Sequence, residues 1–251
     1  MSPDTDTLPP EALAAQTARY MAVVDATWPA ARFDSCGPFL LRAGRGGGKR
    51  VSSASAEGPW TVSDLDAAEA GLLAMGQQKL FNIRPGDEAL DGALAARGYE
   101  IIDPVNIWSC PISVLTAPPR HPEVFGLPAW PVLEIQREIW AEGGIGAARI
   151  EVMERAAGPA TTLIGRVGDA PAASAFVALS DGVAMLHALE VRKAFRGKGL
   201  GRQMMLAAGH WAAAAGAQEL AVICTTGNAP ANGLYRGLGM LWQGRYHYRI
   251  A

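Results

Sequence analysis

The sequence predicts an α/β (α+β) protein, and three observations carry that prediction. An apolar run, Met185 to Val191, feeds a glycine-rich turn, Arg196 to Arg202, and a helix-like run, Gln203 to Ala214, follows. Strand-like and helix-like runs then alternate to the end of the chain. Upstream, two strand-like runs flank Asp181-Gly182, a dipeptide suited to the backbone angles of a tight antiparallel hairpin.

Taken in order, Glu11 to Ala26 reads as a helix, and Pro38 to Ala43 and Arg50 to Ser55 as strands around Gly44-Arg45-Gly46-Gly47-Gly48. No helix follows that glycine run directly, so it reads as a flexible hairpin tip in preference to a phosphate loop. Thr61, Ser63 or Asp64 can start a helix reaching Gln77, because a short side-chain oxygen satisfies the free amides of a first turn. Lys79 to Ile83 is strand-like, Asp87 to Arg97 helix-like, Tyr99 to Ile102 strand-like, and Asn106 to Pro111 a further strand candidate. Pro111 to Pro131, with Pro118, Pro119, Pro122 and Pro128, reads as a linker. Beyond it, Pro131 to Ala141 is helix-like, and Ile150 and Met153 mark a second short helix. Thr161 to Gly168, Ala172 to Leu179 and Ala184 to Val191 are strands. After the Gln203 helix come a buried strand, Leu220 to Thr225, a short helix, Pro230 to Gly237, and a closing strand, Met240 to Ile250, in which Tyr246 and Tyr248 alternate.

Composition narrows the function. At 251 residues the chain can form one large or two small domains. A formal net charge of −2 gives no electrostatic case for nucleic acid or a membrane surface as partner. Cys36, Cys110 and Cys224 are odd in number and widely spaced, with no C-x-x-C or Cys/His cluster, so neither a metal site nor a disulfide framework is expected. Met1 to Pro10 is polar and acidic, unlike a secretory signal. No apolar run reaches the ~18 residues of a membrane span. A cytoplasmic protein is expected, as a monomer or homodimer.

The turn carries the chemistry. Gly197, Gly199 and Gly201 let the backbone bend and approach a ligand, and the unpaired amides of the following helical turn face whatever sits there. Arg196, Lys198 and Arg202 add positive charge, so a pyrophosphate is the expected ligand. The dinucleotide pattern G-x-G-x-x-G fails at Arg202, and the P-loop ending Gly-Lys-Ser/Thr is absent. A second motif lies downstream, Asn228-Ala229-Pro230-Ala231-Asn232-Gly233-Leu234-Tyr235-Arg236-Gly237-Leu238-Gly239-Met240. Asn228 suits a helix N-cap, Pro230 a first turn, and Gly237 or Gly239 a helix end.

The order Arg196, Gly199, Gly201, five residues after Val191, resembles the acetyl-CoA loop of the GNAT N-acetyltransferases, with Lys193 where that family often has proline. The segment from Asn228 to Met240 resembles the family's asparagine, short helix with Leu-Tyr, and closing Leu-Gly step. The resemblance covers roughly Leu127 to the end. It implies a central mixed, mostly antiparallel sheet flanked by helices, with acetyl-CoA as donor and a primary amine as acceptor. The first half resembles a GNAT unit that has lost its loop: Leu90 to Tyr99 echoes the closing step, and nothing matches Arg196 to Gly201. This implies residues 1–118 as a degenerate unit and 119–251 as the catalytic one.

The resemblance also implies roles. The backbone of Leu189, Glu190 and Val191 pairs with the pantetheine arm, Arg196, Gly197, Lys198, Gly199, Leu200, Gly201 and Arg202 grip the pyrophosphate, and Asn228 hydrogen-bonds the arm. Tyr235 protonates the leaving thiolate, or else is a packed helix tyrosine. The glutamate that many relatives carry on the strand after the phosphate helix is missing from Val222-Ile223-Cys224. Glu190 is therefore the expected base, with His187 as the alternative; strict alternation puts these two on opposite faces. A water relay or an amine that arrives neutral needs no base. Cys224 as a nucleophile is disfavoured by direct transfer. The acceptor pocket is expected between the halves, with Trp28, Arg42, Arg50, Ser52, Ser53 and Phe81 as unassigned candidates. An acyl-CoA-binding regulatory protein without chemistry is the alternative reading. An aminoacyl-tRNA-dependent transferase is a third, disfavoured by the intact loop and the lack of basic surplus.

Overall fold

One sheet of eleven strands joins both halves of the chain in the computed structural model, which describes residues 8–117, 121 and 124–251. The first half supplies α1 (Pro10–Thr27), β1 (Arg32–Cys36), β2 (Phe39–Ala43), β3 (Ala54–Ala56), α2 (Val62–Ala74), β4 (Leu80–Ile83), α3 (Glu88–Ala96), β5 (Glu100–Pro111) and α4 (Ile112–Thr116). The second supplies β6 (Val124–Ala129), α5 (Glu134–Glu142), α6 (Ala147–Glu154), β7 (Ala160–Val167), β8 (Ala170–Ser180), β9 (Val183–Val191), α7 (Leu200–Ala214), β10 (Glu219–Thr225), α8 (Ala229–Gly237) and β11 (Leu241–Ile250). The strand order is β1-β2-β3-β4-β11-β5-β10-β9-β8-β7-β6. Only β3–β4 and β9–β10 are parallel, and each of these pairs is crossed by a helix, α2 or α7, as parallel neighbours require.

The halves interlock through an exchange of strands. β11, from the second half, lies between β4 and β5 of the first, while β5 lies between β11 and β10. The helices repeat the exchange. Tyr20, Met21, Val23 and Val24 of α1 pack on Ile107 of β5, Ala221 of β10, and Tyr246 and Tyr248 of β11. Burying each such side chain contributes roughly 1.5–3 kcal/mol, so much of α1's anchoring comes from second-half strands. α2 and α3 cover the first half's own strands through Leu65, Leu72, Leu90 and Leu94 over Phe39 and Phe81. α7 and α8 lie over the second half with Met204, Met205, Leu206, Tyr235 and Leu238.

Local chemistry explains most boundaries. Pro10 opens α1 where its missing N–H costs nothing. Thr61 caps α2, with the Asp64 carboxylate returning to the Thr61 amide. Asp181 and Gly182 both take positive φ, 48° and 73°, in the β8–β9 hairpin, as that dipeptide predicts. Several expectations change. Arg50 begins no strand: Lys49–Val51 is a 3-10 turn and β3 starts at Ala54. The strands expected at Tyr99–Ile102 and Asn106–Pro111 merge into one long strand, β5, which starts at Glu100 and bends at Asp103 (φ 43°). The expected linker holds α4 and β6; its Pro118, Pro119 and Pro122 lie outside the described residues. The glycine run is no free hairpin tip. Gly47 packs so closely on Val152 of α6 that an added Cβ would fall 2.6 Å from its Cγ2. Among the described residues, no helix is long and apolar enough to cross a membrane.

Because β5 fills the place between β10 and β11, residues 124–251 alone should fail to fold, and coexpression with residues 1–117 should restore a folded complex. Circular dichroism melts of the fragment check this: a cooperative transition in isolation would mean that the second half does not depend on β5.

Candidate active site

The site is built where β9 leaves β10. The parallel register runs from Glu219↔Val183 to Val222↔Leu186 and stops, and Ile223, Cys224 and Thr225 then pair only with β5. On its other side β9 pairs His187 with Phe176 and Glu190 with Ser174, so Ala188 and Leu189 together oppose Ala175. This is a β-bulge, which bends a strand and re-aims its side chains. Ala188 takes φ 50°, a conformation that costs an L-residue about 1–2 kcal/mol. The fully buried Trp140 of α5 holds it there, its indole N–H donating to the Ala188 carbonyl at 2.8 Å. The result is a wedge with the backbone edge of Leu189, Glu190 and Val191 unpaired toward β10.

The bulge overturns the opposite-face expectation for His187 and Glu190. One extra residue shifts the alternation, so their partners Phe176 and Ser174 lie on one face of β8, and the two side chains share that face. Neither is a free base. His187 is 3% exposed, with Nε2 2.8 Å from Thr27 Oγ1 and Nδ1 3.2 Å from Arg50 Nη1. Thr27 spends its hydroxyl proton on the Val23 carbonyl, so Nε2–H donates to Thr27 and Nδ1 accepts from Arg50. Burial, then Arg50, drives its pKa well below the ordinary value. Glu190 pairs with the Arg196 guanidinium at 2.9 Å.

The glycine turn has the form expected of it. Gly197 and Gly199 take φ 75° and 78°. Gly199 caps α7 without a side chain, so the amides of the first turn stay open. At Gly201 an added Cβ would sit 3.2 Å from Leu234, which sets how closely α7 approaches α8. Arg196 folds back, its Nε donating to the Val191 carbonyl at 2.9 Å, and so ties the turn to the end of β9. Lys198 lies 5.2 Å from the centre of the Phe195 ring. Leu200 is buried beneath α7, and Arg202 is exposed. The matching place in the first half, the start of α2, is filled by its own Thr61 and Asp64.

α8 carries the second motif. Asn228 caps it, Oδ1 accepting from the Ala231 amide at 3.2 Å. Asn232, one turn on and missed in the sequence, ties three elements together. It accepts from Asn106 Nδ2 and Trp108 Nε1 at 3.0 Å each, and donates to the carbonyls of Thr225 at 3.0 Å and Asn228 at 2.8 Å. Its spacing from Asn228 was the available signal. Tyr235 is buried in the α7 cluster, and burial, then Cys224, raises its phenol above the ordinary value near 10. Burial pushes the Cys224 thiol up to about 11, so it stays protonated and is a poor nucleophile.

A cavity of about 450 Å³ lies between the halves on the α1 face. It reaches the wedge at Ala188, Cys224 and Thr225, and is walled by Trp28, Arg50, Arg149 and Tyr246 among others. Trp28 and Arg50 thus line it, as the sequence allowed. Arg42, Ser52, Ser53 and Phe81 do not: Arg42 is buried against Asp25 and Ser55, and Phe81 is core.

With this geometry in view, residues 129–240 match the model of the acetyltransferase (GNAT) family. The fold is similar to that of a GCN5-related N-acetyltransferase from Kribbella flavida, with a TM-score of 0.67 at 19% identity over 95% of each chain. It is also similar to a conserved protein of unknown function from Staphylococcus epidermidis, with a TM-score of 0.68 at 12% identity over 90% of this chain and 95% of that one. A tandem GNAT protein from the clavulanic acid biosynthesis pathway aligns with a TM-score of 0.59 at 15% identity, over 79% of this chain and 74% of that one. No curated protein matches the sequence.

His187 sets a pH dependence. Its folded pKa lies below its unfolded value of 6.5, so the unfolded chain takes up the proton first, and stability falls as pH drops through that value. The loss approaches about 1.4 kcal/mol per pH unit until the folded form also titrates. Melting temperatures from about pH 8 to about pH 5 should fall more steeply for the native chain than for His187→Gln. Parallel slopes would mean that His187 is not held neutral.

Proposed function

We propose that this chain is an N-acetyltransferase that moves an acetyl group from acetyl-CoA to a primary amine by direct attack through a tetrahedral intermediate. The observation that carries the reading is the uncapped start of α7 behind Gly199, joined through Arg196 to the end of a strand whose edge is open. Open helix amides favour an anion, and the unpaired edge of Leu189, Glu190 and Val191 is free to pair with an amide-bearing arm and to polarise a thioester carbonyl. The residues from Arg196 to Arg202 then hold the pyrophosphate. Asn228 is already spent on its cap, so only its remaining amide donors can reach the arm.

In this reading the amine nitrogen attacks the thioester carbon, the C–S bond breaks, the thiolate takes a proton from Tyr235, and the proton shed by the acylated nitrogen passes through cavity water and restores the phenol. The raised pKa of Tyr235 keeps it protonated before the step. Glu190 steadies Arg196, and His187 has its lone pair committed to Arg50. The amine therefore arrives neutral or loses its proton to water in the cavity. The first half, residues 1–118, is read as a GNAT-like unit without donor binding and residues 119–251 as the catalytic unit. Support comes from the shared parallel pair crossed by a helix, and from the self-capped start of α2. The unpaired Cys36, Cys110 and Cys224 support a cytoplasmic setting. An acyl-CoA-binding protein without turnover is the second reading, favoured by the apolar Ile223 and the ion-paired Glu190.

Incubation with acetyl-CoA and a panel of amines should release free thiol; tight CoA binding with no thiol from any amine would favour the second reading. Gly199→Val forces a branched residue into the left-handed region and should weaken CoA binding by about tenfold or more with an unchanged circular dichroism spectrum. Unaltered calorimetric affinity would remove the loop assignment. Tyr235→Phe should lower kcat by about a hundredfold while CoA affinity holds; unaltered turnover would reassign Tyr235 to packing.

A further inference from the structure

The cavity between the halves holds more positive charge than its walls neutralise. Lys49, Arg50 and Arg149 line it against a single acid, Asp103, and Asp103 is paired with Lys49 at the rim. Among the described residues, Arg50 and Arg149 have no ion-pair partner within 4 Å, although both are partly buried. Arg50 is set in place by Trp28, whose ring centre lies 5.3 Å from the guanidinium, and by His187 Nδ1 at 3.2 Å. Arg149 lies against the first-half glycine run, where a Cβ on Gly48 would come within 3.4 Å of its Nε. Burial, and after it the like charge of Arg50, lowers the Arg149 pKa. Unneutralised arginines inside a cavity are costly unless an anion joins them.

Tyr246 and Tyr248, 1% and 2% exposed, wall the cavity with their rings, which meet edge to face with centres 5.6 Å apart. None of residues 192–202 lines this cavity, so the charge is separate from the glycine turn.

We propose that Arg50 and Arg149 receive an oxyanion, carboxylate or phosphate, on the acceptor, and that the acceptor class is a small amine bearing such an oxyanion, for example an amino acid. The naming of the ligand as acceptor rests on the acyl-transfer reading; the anion site stands on the cavity alone. The planar guanidinium fork fits either oxyanion bidentately. With the anion at Arg50 and Arg149, the rest of the molecule extends along a cavity that ends at the wedge by Ala188, where the acetyl group would be presented.

The test uses the full chain saturated with CoA and matched probes: glycine, β-alanine and 4-aminobutyrate, their decarboxylated amines, and aminoethyl phosphate. Calorimetry should show at least one oxyanion-bearing probe binding about tenfold or more tighter than the amine that lacks the oxyanion, and Arg149→Met or Arg50→Gln should reduce that ratio toward one. The carboxylate and phosphate arms identify the oxyanion. Equal binding of members with and without the oxyanion throughout, or an unchanged preference in both variants, would overturn the proposal. Selective anion binding with no thiol release from acetyl-CoA would leave the anion site standing and remove the acyl-transfer reading instead.

Discussion

The hydrogen bond from the Trp140 indole to the Ala188 carbonyl is the contact on which the site depends. Ala188 sits in a backbone region that L-residues avoid, and a buried partner must hold it there. Without the bulge β9 would continue in register beside β10, and Ile223, Cys224 and Thr225 would pair with residues 187–189 and close the start of that edge. With it, the two parallel strands part after Leu186 and Val222, and the wedge opens at one end to the glycine turn and at the other to the cavity. The same extra residue decides which side chains face the cavity side, turning His187 and Glu190 onto one face.

The cavity exists because the halves share a sheet. β5 and β11 exchange places, α1 lies across second-half strands, and the first-half glycine run rests on α6. A wall of the cavity is therefore first-half sequence, Trp28 and the stretch from Gly47 to Arg50, set against Arg149 and Tyr246. In the first half the helix start that matches the glycine turn, that of α2, is filled by its own Asp64. What the first half contributes is one wall of the cavity.

Much of this was legible in the sequence where the signal is local. Asp181-Gly182, the glycines at 197 and 199, and the Asn228 cap depend on backbone angles or side-chain reach within a few residues, and all three take the form their residue types predict. β1 was invisible because an edge strand of sequence Arg-Phe-Asp-Ser-Cys, paired on one side only, carries no apolar alternation. β5 read as two strands because Asp103 and Pro104 interrupt the pattern, whereas pairing with β10 and β11 carries the strand through. Arg149 gave no signal, since one arginine on a helix is ordinarily solvated; only the opposing Arg50 makes it notable.

By itself, then, the sequence determined the glycine turn, the helix behind it and the likeness of residues 129–240 to a family, because those are properties of short segments and their spacing. Tertiary structure alone decided the bulge at Ala188, the hub at Asn232, the exchange of β5 and β11, and the pairing of Arg50 with Arg149. Each of these joins residues about 50 to more than 120 positions apart, and what they do follows from packing and charge at a distance that no local pattern encodes.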